Sequence, residues 1–120
     1  MRIYTGYFAV EKKYPSDIVR IAICRSVPKW FDGYAFKLLA PSWDLLNDYK
    51  EGVIDWEQYT ERFNEETLSQ VKAERVVQQL SAFTQGKDCV LLCYEKEVCH
   101  RFLVSAWLNE NGFSCSELIV

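Results

Sequence analysis

Residues 88–112 read DCVLLCYEKEVCHRFLVSAWLNENG, and this stretch decides the fold. Near its start, residues 89–94 form a short apolar run that follows a turn, which predicts a buried strand. Residues 99–109 predict a helix that ends at Gly112. A buried strand that leads directly into a helix is typical of α/β proteins, in which parallel strands are covered by helices.

The rest of the chain fits the same architecture. Apolar and β-branched runs predict two earlier strands and a last one, and capping signals with helical periodicity predict three helices between them. The first predicted strand lies within residues 2–10 and ends near residues 6–7 or a little past them, and the other two are residues 18–24 and 114–120. The predicted helices are residues 41–50, 55–66 and 69–83. We therefore expect residues 1–120 to form a single small three-layer α/β domain, with a mostly parallel central sheet and flanking helices.

Composition excludes several classes of protein. Of 120 residues 49% are hydrophobic and 26% are charged, which are values of a globular protein rather than a disordered one. A net charge of -3 creates no overall field that attracts nucleic acid or anionic membranes, and no segment resembles a signal peptide or a membrane span. Five cysteines, an odd number, favour reduced thiols, so we expect a cytoplasmic protein without membrane partners or cofactors.

Reactive side chains are concentrated between the strand at 89–94 and the helix that follows it. Cys93, Glu95, Cys99, His100 and Arg101 lie within nine residues, and His100 is the only histidine of the chain. In parallel sheets, ligands bind beyond the carboxyl ends of the strands, where such connecting segments lie. This segment is therefore the predicted centre of the functional site.

Two further connections should reach the same edge of the sheet. Gly6 and Tyr7 end the first predicted strand, and Arg25 and Ser26 follow the second. Together with Arg101, they predict a site for an anionic small molecule or nucleotide, because paired guanidinium groups bind phosphate and carboxylate well. The alternative is that both arginines pair with Glu95 and hold the loops together without any ligand.

Cysteine chemistry is the second expectation for this cluster. Cys99 stands where a helix begins, and free backbone N–H groups and positive charge there favour the nucleophilic thiolate. Cys93 is the other candidate nucleophile, and Glu95 and His100 are candidate proton donors or acceptors. Each has a structural alternative: Cys99 as a small buried residue at the helix start, Glu95 as the partner of an arginine, and His100 as a hydrogen-bonded core residue.

Metal binding and base stacking are the remaining alternatives. We expect no metal site, because Cys93, Cys99 and His100 lack the short ligand spacing of structural zinc sites, even if Cys24 is added. Helical spacing of Trp43, Trp56, Tyr59 and Phe63 predicts core packing. A second aromatic segment, residues 30–36, lies in an irregular region and is a candidate lid or stacking wall over the site, although acidic residues nearby weaken a nucleic-acid interpretation.

The chain resembles the domain-of-unknown-function 488 family. The resemblance rests on Ile-Tyr-Thr-Gly-Tyr at residues 3–7, Cys-Arg-Ser-Val-Pro at 24–28, Leu-Ala-Pro-Ser at 39–42 and, most distinctively, Leu-Leu-Cys-Tyr-Glu and Cys-His-Arg at 91–95 and 99–101. It implies an α/β fold and a motif site at Cys93, Glu95, Cys99, His100 and Arg101, with Gly6 and Arg25 nearby. It implies no established activity.

The chain also departs from that family's pattern at two positions. Cys24 stands where the family usually has an acidic residue, and Tyr7 stands where it often has a histidine. Two functions follow from the sequence. One is a cysteine-dependent enzyme that acts on a phosphate-bearing or nucleic-acid-derived substrate. The other is a noncatalytic binding module for a phosphorylated ligand or nucleic acid.

Overall fold

Five parallel strands form one sheet in a computed structural model that describes residues 1–120. The strands are β1 (Ile3–Tyr7), β2 (Val19–Ala22), β3 (Tyr34–Ala35), β4 (Cys89–Cys93) and β5 (Cys115–Glu117). They are arranged in the order β3-β2-β4-β1-β5, and every pairing is parallel. All five residues of β4 are buried, as expected for the central strand of a sheet covered on both faces.

Four α-helices flank the sheet. They are α1 (Trp43–Lys50), α2 (Trp56–Glu66), α3 (Ala73–Thr84) and α4 (His100–Glu110). The N-terminus of α1 is capped by the Ser42 hydroxyl, which accepts from the Leu45 amide at 3.1 Å, and α2 begins with a capping box of Asp55 and Gln58. None of these helices is both long and apolar enough to cross a membrane.

The two faces of the sheet are covered differently. Cys89 and Leu91 of β4 belong to the larger core, which includes the buried residues of all four helices. Val90 and Leu92 point to the opposite face, because side chains alternate along a strand. There they pack with Phe8 and other residues of a smaller core beneath a short 3-10 helix, Phe8–Lys13. The fold is therefore the predicted α/β arrangement with its three layers.

Some predicted boundaries were confirmed and others were wrong. The end of the first strand at Tyr7 is as predicted, and the chain there turns into the 3-10 helix Phe8–Lys13, which covers the second face. The helix expected from residue 69 starts at Ala73, after a separate 3-10 turn at Leu68–Gln70. The strand β3 was not predicted, since its two exposed residues show no apolar alternation.

Candidate functional site

A cavity of about 820 Å³ lies at the carboxyl ends of β2 and β4. The segments that leave these two strands form one side of it, and residues of α1 and α2 form the other. Six of the nine predicted site residues line it: Arg25, Ser26, Cys93, Glu95, Cys99 and His100. A second cavity of about 470 Å³ lies near the amino ends of β1 and β5 and contains none of them.

Cys93 and Cys99 are brought together at the inner wall of this cavity. Cys93 ends β4, Cys99 is the N-cap residue of α4, and their sulfur atoms form a disulfide. Their Cα atoms are 7.1 Å apart, slightly above the about 4.4–6.8 Å usual for disulfides. The fold thus places the two sulfurs at one point of the cavity wall.

The expectation of reduced thiols is wrong for this pair and holds for the other three cysteines. Cys24, Cys89 and Cys115 are buried and free. Burial raises the pKa of Cys24 to about 11 and that of Cys89 to about 12, and it also raises the pKa of Cys115. Thiols with such raised pKa values remain protonated at neutral pH and react slowly.

His100 faces Cys99 in a fixed orientation. Its Nε2 atom is 2.5 Å from the carbonyl oxygen of Ile23, and since that oxygen can only accept, the ring proton is assigned to Nε2. Nδ1 then has a lone pair and lies 3.6 Å from Cys99 Sγ. The arrangement matches a nucleophile beside a base that a third group orients.

The histidine is neutral near pH 7. Only 6% of it is exposed, and its ring packs edge-to-face against Phe63. The pKa of His100 is lowered from 6.5 to about 4, mainly by burial and also by the charge of Arg101, although the hydrogen bond to Ile23 acts in the opposite direction. A resting imidazolium–thiolate pair is therefore disfavoured, and a proton would move from sulfur to Nδ1 only as a reaction proceeds.

Arg101 does not line the cavity but is fully enclosed beside it. The side chain is inaccessible to solvent, and protein atoms accept from all three of its nitrogens. Nε and Nη2 bind both carboxylate oxygens of Glu117, at 3.1 and 2.9 Å. Nη2 also donates to the Lys96 carbonyl at 2.6 Å, and Nη1 donates to the Glu95 carbonyl and to Cys93 Sγ, the latter at 3.3 Å.

These contacts use every donor that a guanidinium group has, so Arg101 offers none to an external anion in this state. The predicted alternative of a structural network applies to this arginine, with a different partner. The carboxylate that balances Arg101 comes from Glu117 in β5, whereas Glu95 contributes only its backbone carbonyl. Nothing in the sequence near Glu117 indicated this role beyond a charged residue in a predicted strand.

Gly6 and Tyr7 also lie outside the cavity. A side chain at Gly6 would overlap the Tyr14 hydroxyl and crowd Val90, so this glycine is required for packing. Tyr7 donates its backbone N–H to the Tyr14 hydroxyl at 3.2 Å, and its ring centroid is 5.3 Å from the Arg101 guanidinium carbon. Gly6 thus packs against Tyr14, the Tyr7 ring packs beside Arg101, and neither residue lines the cavity.

Arg25 is the arginine that faces the cavity. Its Nε and Nη2 atoms donate to the carbonyls of Pro41 and Ala40, at 3.0 and 3.1 Å, which ties the β2 connection to the start of α1. Its Nη1 group has no protein acceptor, and no carboxylate pairs with the side chain. The cavity therefore contains one positioned guanidinium with unused donors.

The aromatic residues that line the cavity are not the ones that the sequence predicted there. Trp43, Trp56 and Tyr59 line the cavity, and Trp43 is 55% exposed, although Tyr59 and Phe63 are also buried core residues as predicted. In the segment expected to cover the site, Trp30 and Phe31 instead pack edge-to-face on Phe8 in the smaller core, and Phe36 belongs to the larger core. The predicted lid is wrong, and aromatic residues of α1 and α2 line the cavity instead.

The fold and the site together define a class: a parallel α/β protein with a cysteine–histidine cluster at the carboxyl ends of its strands. The family described as "Active DUF488-N3 subclade" matches residues 3–112, so the chain belongs to this subclade of the domain-of-unknown-function 488 family. Comparison with curated proteins gave no match, and comparison with solved structures gave none either.

Proposed function

We propose that this protein is a cysteine-dependent enzyme that acts on a phosphate-bearing or nucleic-acid-derived substrate held in the 820 Å³ cavity. The observation that carries the proposal is the position of Cys99. Its sulfur adjoins an oriented histidine lone pair, 3.6 Å away, and lies at a cavity that also contains the unused donors of Arg25. Nucleophile, base and anion-binding group thus adjoin one space.

The nucleophile is available when the pair is reduced. Two equivalents of a thiol reductant convert the Cys93–Cys99 disulfide to two thiols and form one disulfide of the reductant. A reducing compartment maintains that state, which agrees with the expected cytoplasmic location. Cys99 then donates its S–H to His100 Nδ1, and the sulfur attacks an electrophilic carbon or phosphorus atom of the substrate as the proton passes to nitrogen.

Proton return completes the cycle. The imidazolium formed at His100 is disfavoured by its buried surroundings, so it readily gives the proton to the leaving group. Glu95 is exposed at the cavity wall and is suited to take a proton from the water that attacks the Cys99-bound intermediate. The bond to the Cys99 sulfur then breaks, the product leaves, and the sulfur regains that proton as S–H. Arg101 acts as a positioning residue here, because its contacts with Cys93, Glu95 and Lys96 hold the segment between the two cysteines.

Substrate recognition rests on charge and aromatic surface. Arg25, Lys50 and Lys96 line the cavity and favour a phosphate group, whereas Glu95 and Glu97 restrict where that group can lie. Trp43 and Trp56 offer faces on which a base can stack. We therefore infer that the phosphate lies near Arg25 and the base lies against α1 and α2.

The second candidate is a noncatalytic binding module for a phosphorylated ligand or nucleic acid. The disulfide favours it, because two sulfurs bonded to each other provide no nucleophile. Arg25 and the aromatic wall are independent of that bond and remain available for binding. The two candidates differ in whether Cys99 is needed for anything beyond structure.

A panel experiment separates them. The reduced protein is incubated with nucleoside mono-, di- and triphosphates and short oligonucleotides, and thermal shift and product formation are both recorded. We expect at least one compound to raise the Tm and to be converted. Cys99→Ser should abolish conversion and keep the thermal shift, Arg25→Ala should weaken both, and Arg75→Ala should change neither, because Arg75 is exposed on α3 away from the cavity.

Each outcome decides between the candidates. Binding that persists in Cys99→Ser, with no conversion by the wild-type protein, would establish the binding module. If no compound in the panel shifts the Tm or reacts, both candidates are contradicted.

A further inference from the structure

We infer that the reduced side chains of Cys93, Cys99 and His100 form a binding site for a soft divalent metal ion, Zn²⁺, with one coordination position open to the cavity. Spacing along the chain argued against a metal site, but the arrangement in space argues for one. The three donor atoms lie within 4.8 Å of one another, and all three residues are buried. Two thiolates and an imidazole are ligands that Zn²⁺ prefers.

The distance between Cys99 and His100 fits tetrahedral coordination. Zn–S and Zn–N bonds of about 2.3 and 2.0–2.1 Å, at a tetrahedral angle, place sulfur and nitrogen about 3.6 Å apart. Cys99 Sγ and His100 Nδ1 are 3.6 Å apart. Cys99 and His100 can therefore bind the same ion although they are adjacent in the chain. His100 reaches the ion through Nδ1, the ring nitrogen nearer to its own backbone.

Cys93 completes the set after reduction. Two thiolates on one tetrahedral zinc ion are about 3.8 Å apart. The Cα separation of 7.1 Å between Cys93 and Cys99 accommodates that spacing by side-chain rotation. All three ligands line the cavity, so the fourth position is open to water or to a bound molecule, as in zinc sites with three protein ligands.

The surrounding contacts are of the kind that support metal ligands. The Nε2–H of His100 donates to the Ile23 carbonyl at 2.5 Å, which directs Nδ1 towards the sulfurs. Arg101 Nη1 donates to Cys93 Sγ at 3.3 Å and stabilises a thiolate there. Glu117 neutralises the charge of Arg101, so that charge does not repel a dication unopposed.

The chemistry balances in two steps. A thiol reductant first converts the disulfide to two thiols, and the reductant is oxidised to its own disulfide. Zn²⁺ then replaces the two thiol protons, which are released to solvent, and accepts the Nδ1 lone pair. A zinc-bound Cys99 is no longer a free nucleophile. The zinc-bound form is therefore an alternative state of the site to which the proposed function assigns catalysis, and the inference rests on that site.

The test measures metal content of the full chain. Protein reduced with a non-chelating phosphine is incubated with Zn²⁺, desalted and analysed for zinc, and a parallel sample with Co²⁺ is examined for thiolate-to-cobalt charge-transfer absorption. We expect about one zinc per chain, as for a single site of this class. Cys93→Ser, Cys99→Ser and His100→Gln should each weaken binding by more than the about 10–100-fold that loss of an outer partner costs.

Two cysteines serve as matched controls. Cys24 is buried and lines the same cavity, and Cys89 is buried in the core, so Cys24→Ser and Cys89→Ser should retain zinc and the cobalt spectrum. Circular dichroism and thermal melting identify any variant that fails to fold. If His100→Gln unfolds, the test rests on the cobalt charge-transfer band of the wild-type protein and on its loss in folded Cys93→Ser and Cys99→Ser.

The inference is overturned if the reduced wild-type protein binds no zinc, or if zinc remains in both Cys93→Ser and Cys99→Ser. Loss of zinc in Cys24→Ser would also overturn it, because the fourth position would then be occupied by protein. Failure of this inference and failure of the proposed function are distinguishable. If the zinc-free reduced protein converts a nucleotide, the proposed enzyme is supported whether or not the protein can bind zinc. If the reduced protein binds zinc but its zinc-free form converts no nucleotide, only the metal site is supported.

Discussion

Arg101 and Arg25 lie beside the same strand ends, yet their surroundings are opposite. Arg101 is inaccessible to solvent, and its donors are all used by Glu117, two backbone carbonyls and Cys93. Arg25 is half-buried, makes two backbone contacts and keeps one nitrogen unpaired. The comparison shows that an arginine in a sequence motif can be a structural residue, while one in a neighbouring loop keeps unused donors at a cavity.

Removing the Arg101 side chain should have the largest effect on the free energy of unfolding. Arg101→Met removes a buried ion pair and all five hydrogen bonds of the guanidinium, so the free energy of unfolding should fall by about 3–5 kcal/mol in urea denaturation. Arg25→Met should lower it by less than about 1 kcal/mol, since the backbone carbonyls it leaves lie near a cavity that admits water. Similar losses for both variants would contradict the distinction between a sealed arginine and an open one.

The reactivity of two buried cysteines towards iodoacetamide should differ within the cavity. Cys99 and Cys24 are both 5% exposed, so accessibility is matched. With its pKa raised to about 11, Cys24 is only about 0.1% thiolate at pH 8, whereas the Cys99 sulfur lies 3.6 Å from His100 Nδ1, whose lone pair can accept its proton. In reduced protein, iodoacetamide should label Cys99 first by peptide mass spectrometry.

The pH dependence of labelling checks its cause. Because the Cys24 pKa is raised to about 11, its labelling rate should keep rising as the pH increases towards about 11, whereas Cys99, whose proton His100 Nδ1 can accept, should already react at lower pH. Equal rates and parallel pH profiles for the two residues would contradict the role assigned to Cys99 and His100.

The partner of Arg101 can be tested with two glutamates. Glu117→Gln keeps the shape of the side chain but removes the charge, so unfolding should require about 1–3 kcal/mol less free energy. Glu95→Gln should change stability by less than about 0.5 kcal/mol, because only the backbone of Glu95 contacts Arg101. Chemical denaturation of both variants measures the difference, and the reverse order would restore Glu95 as the partner.

The smallest expected effect is on nucleotide affinity, and two exposed tryptophans test it. Trp43 is 55% exposed in the cavity, and Trp30 is 58% exposed at the opposite face of the sheet. Trp43→Ala should weaken nucleotide binding about 5-fold or more, as expected when a stacking contact of about 1–3 kcal/mol is lost. Trp30→Ala should leave the affinity unchanged in isothermal titration calorimetry. A larger effect at Trp30 would move the binding surface to the other face.

The local features of the fold could be read from the sequence. Apolar runs and caps predicted four of the five strands and all four α-helices, including the order of elements from β4 to α4. The same reasoning predicted that Arg25, Cys93, Cys99 and His100 reach one edge of the sheet, because parallel strands end together. These predictions depend on short-range patterns, which single sequences record directly.

Contacts between distant segments could not be predicted in the same way. The position of β4 between β1 and β2, and of β5 beside β1, is what brings Glu117 to Arg101. The same packing directs the segment containing Trp30 and Phe31 to the second face. No local pattern encodes these choices, because many strand orders bury the same apolar runs equally well.

The sequence by itself determined a parallel α/β fold and the segments that carry its reactive side chains. Only the tertiary structure decided which of those side chains are enclosed and which face the cavity, and that Cys93, Cys99 and His100 meet within 4.8 Å. The physical reason is that periodicity and capping act between neighbours in the chain. Burial, charge pairing and the orientation of a histidine depend instead on packing between residues as far apart as Ile23 and His100.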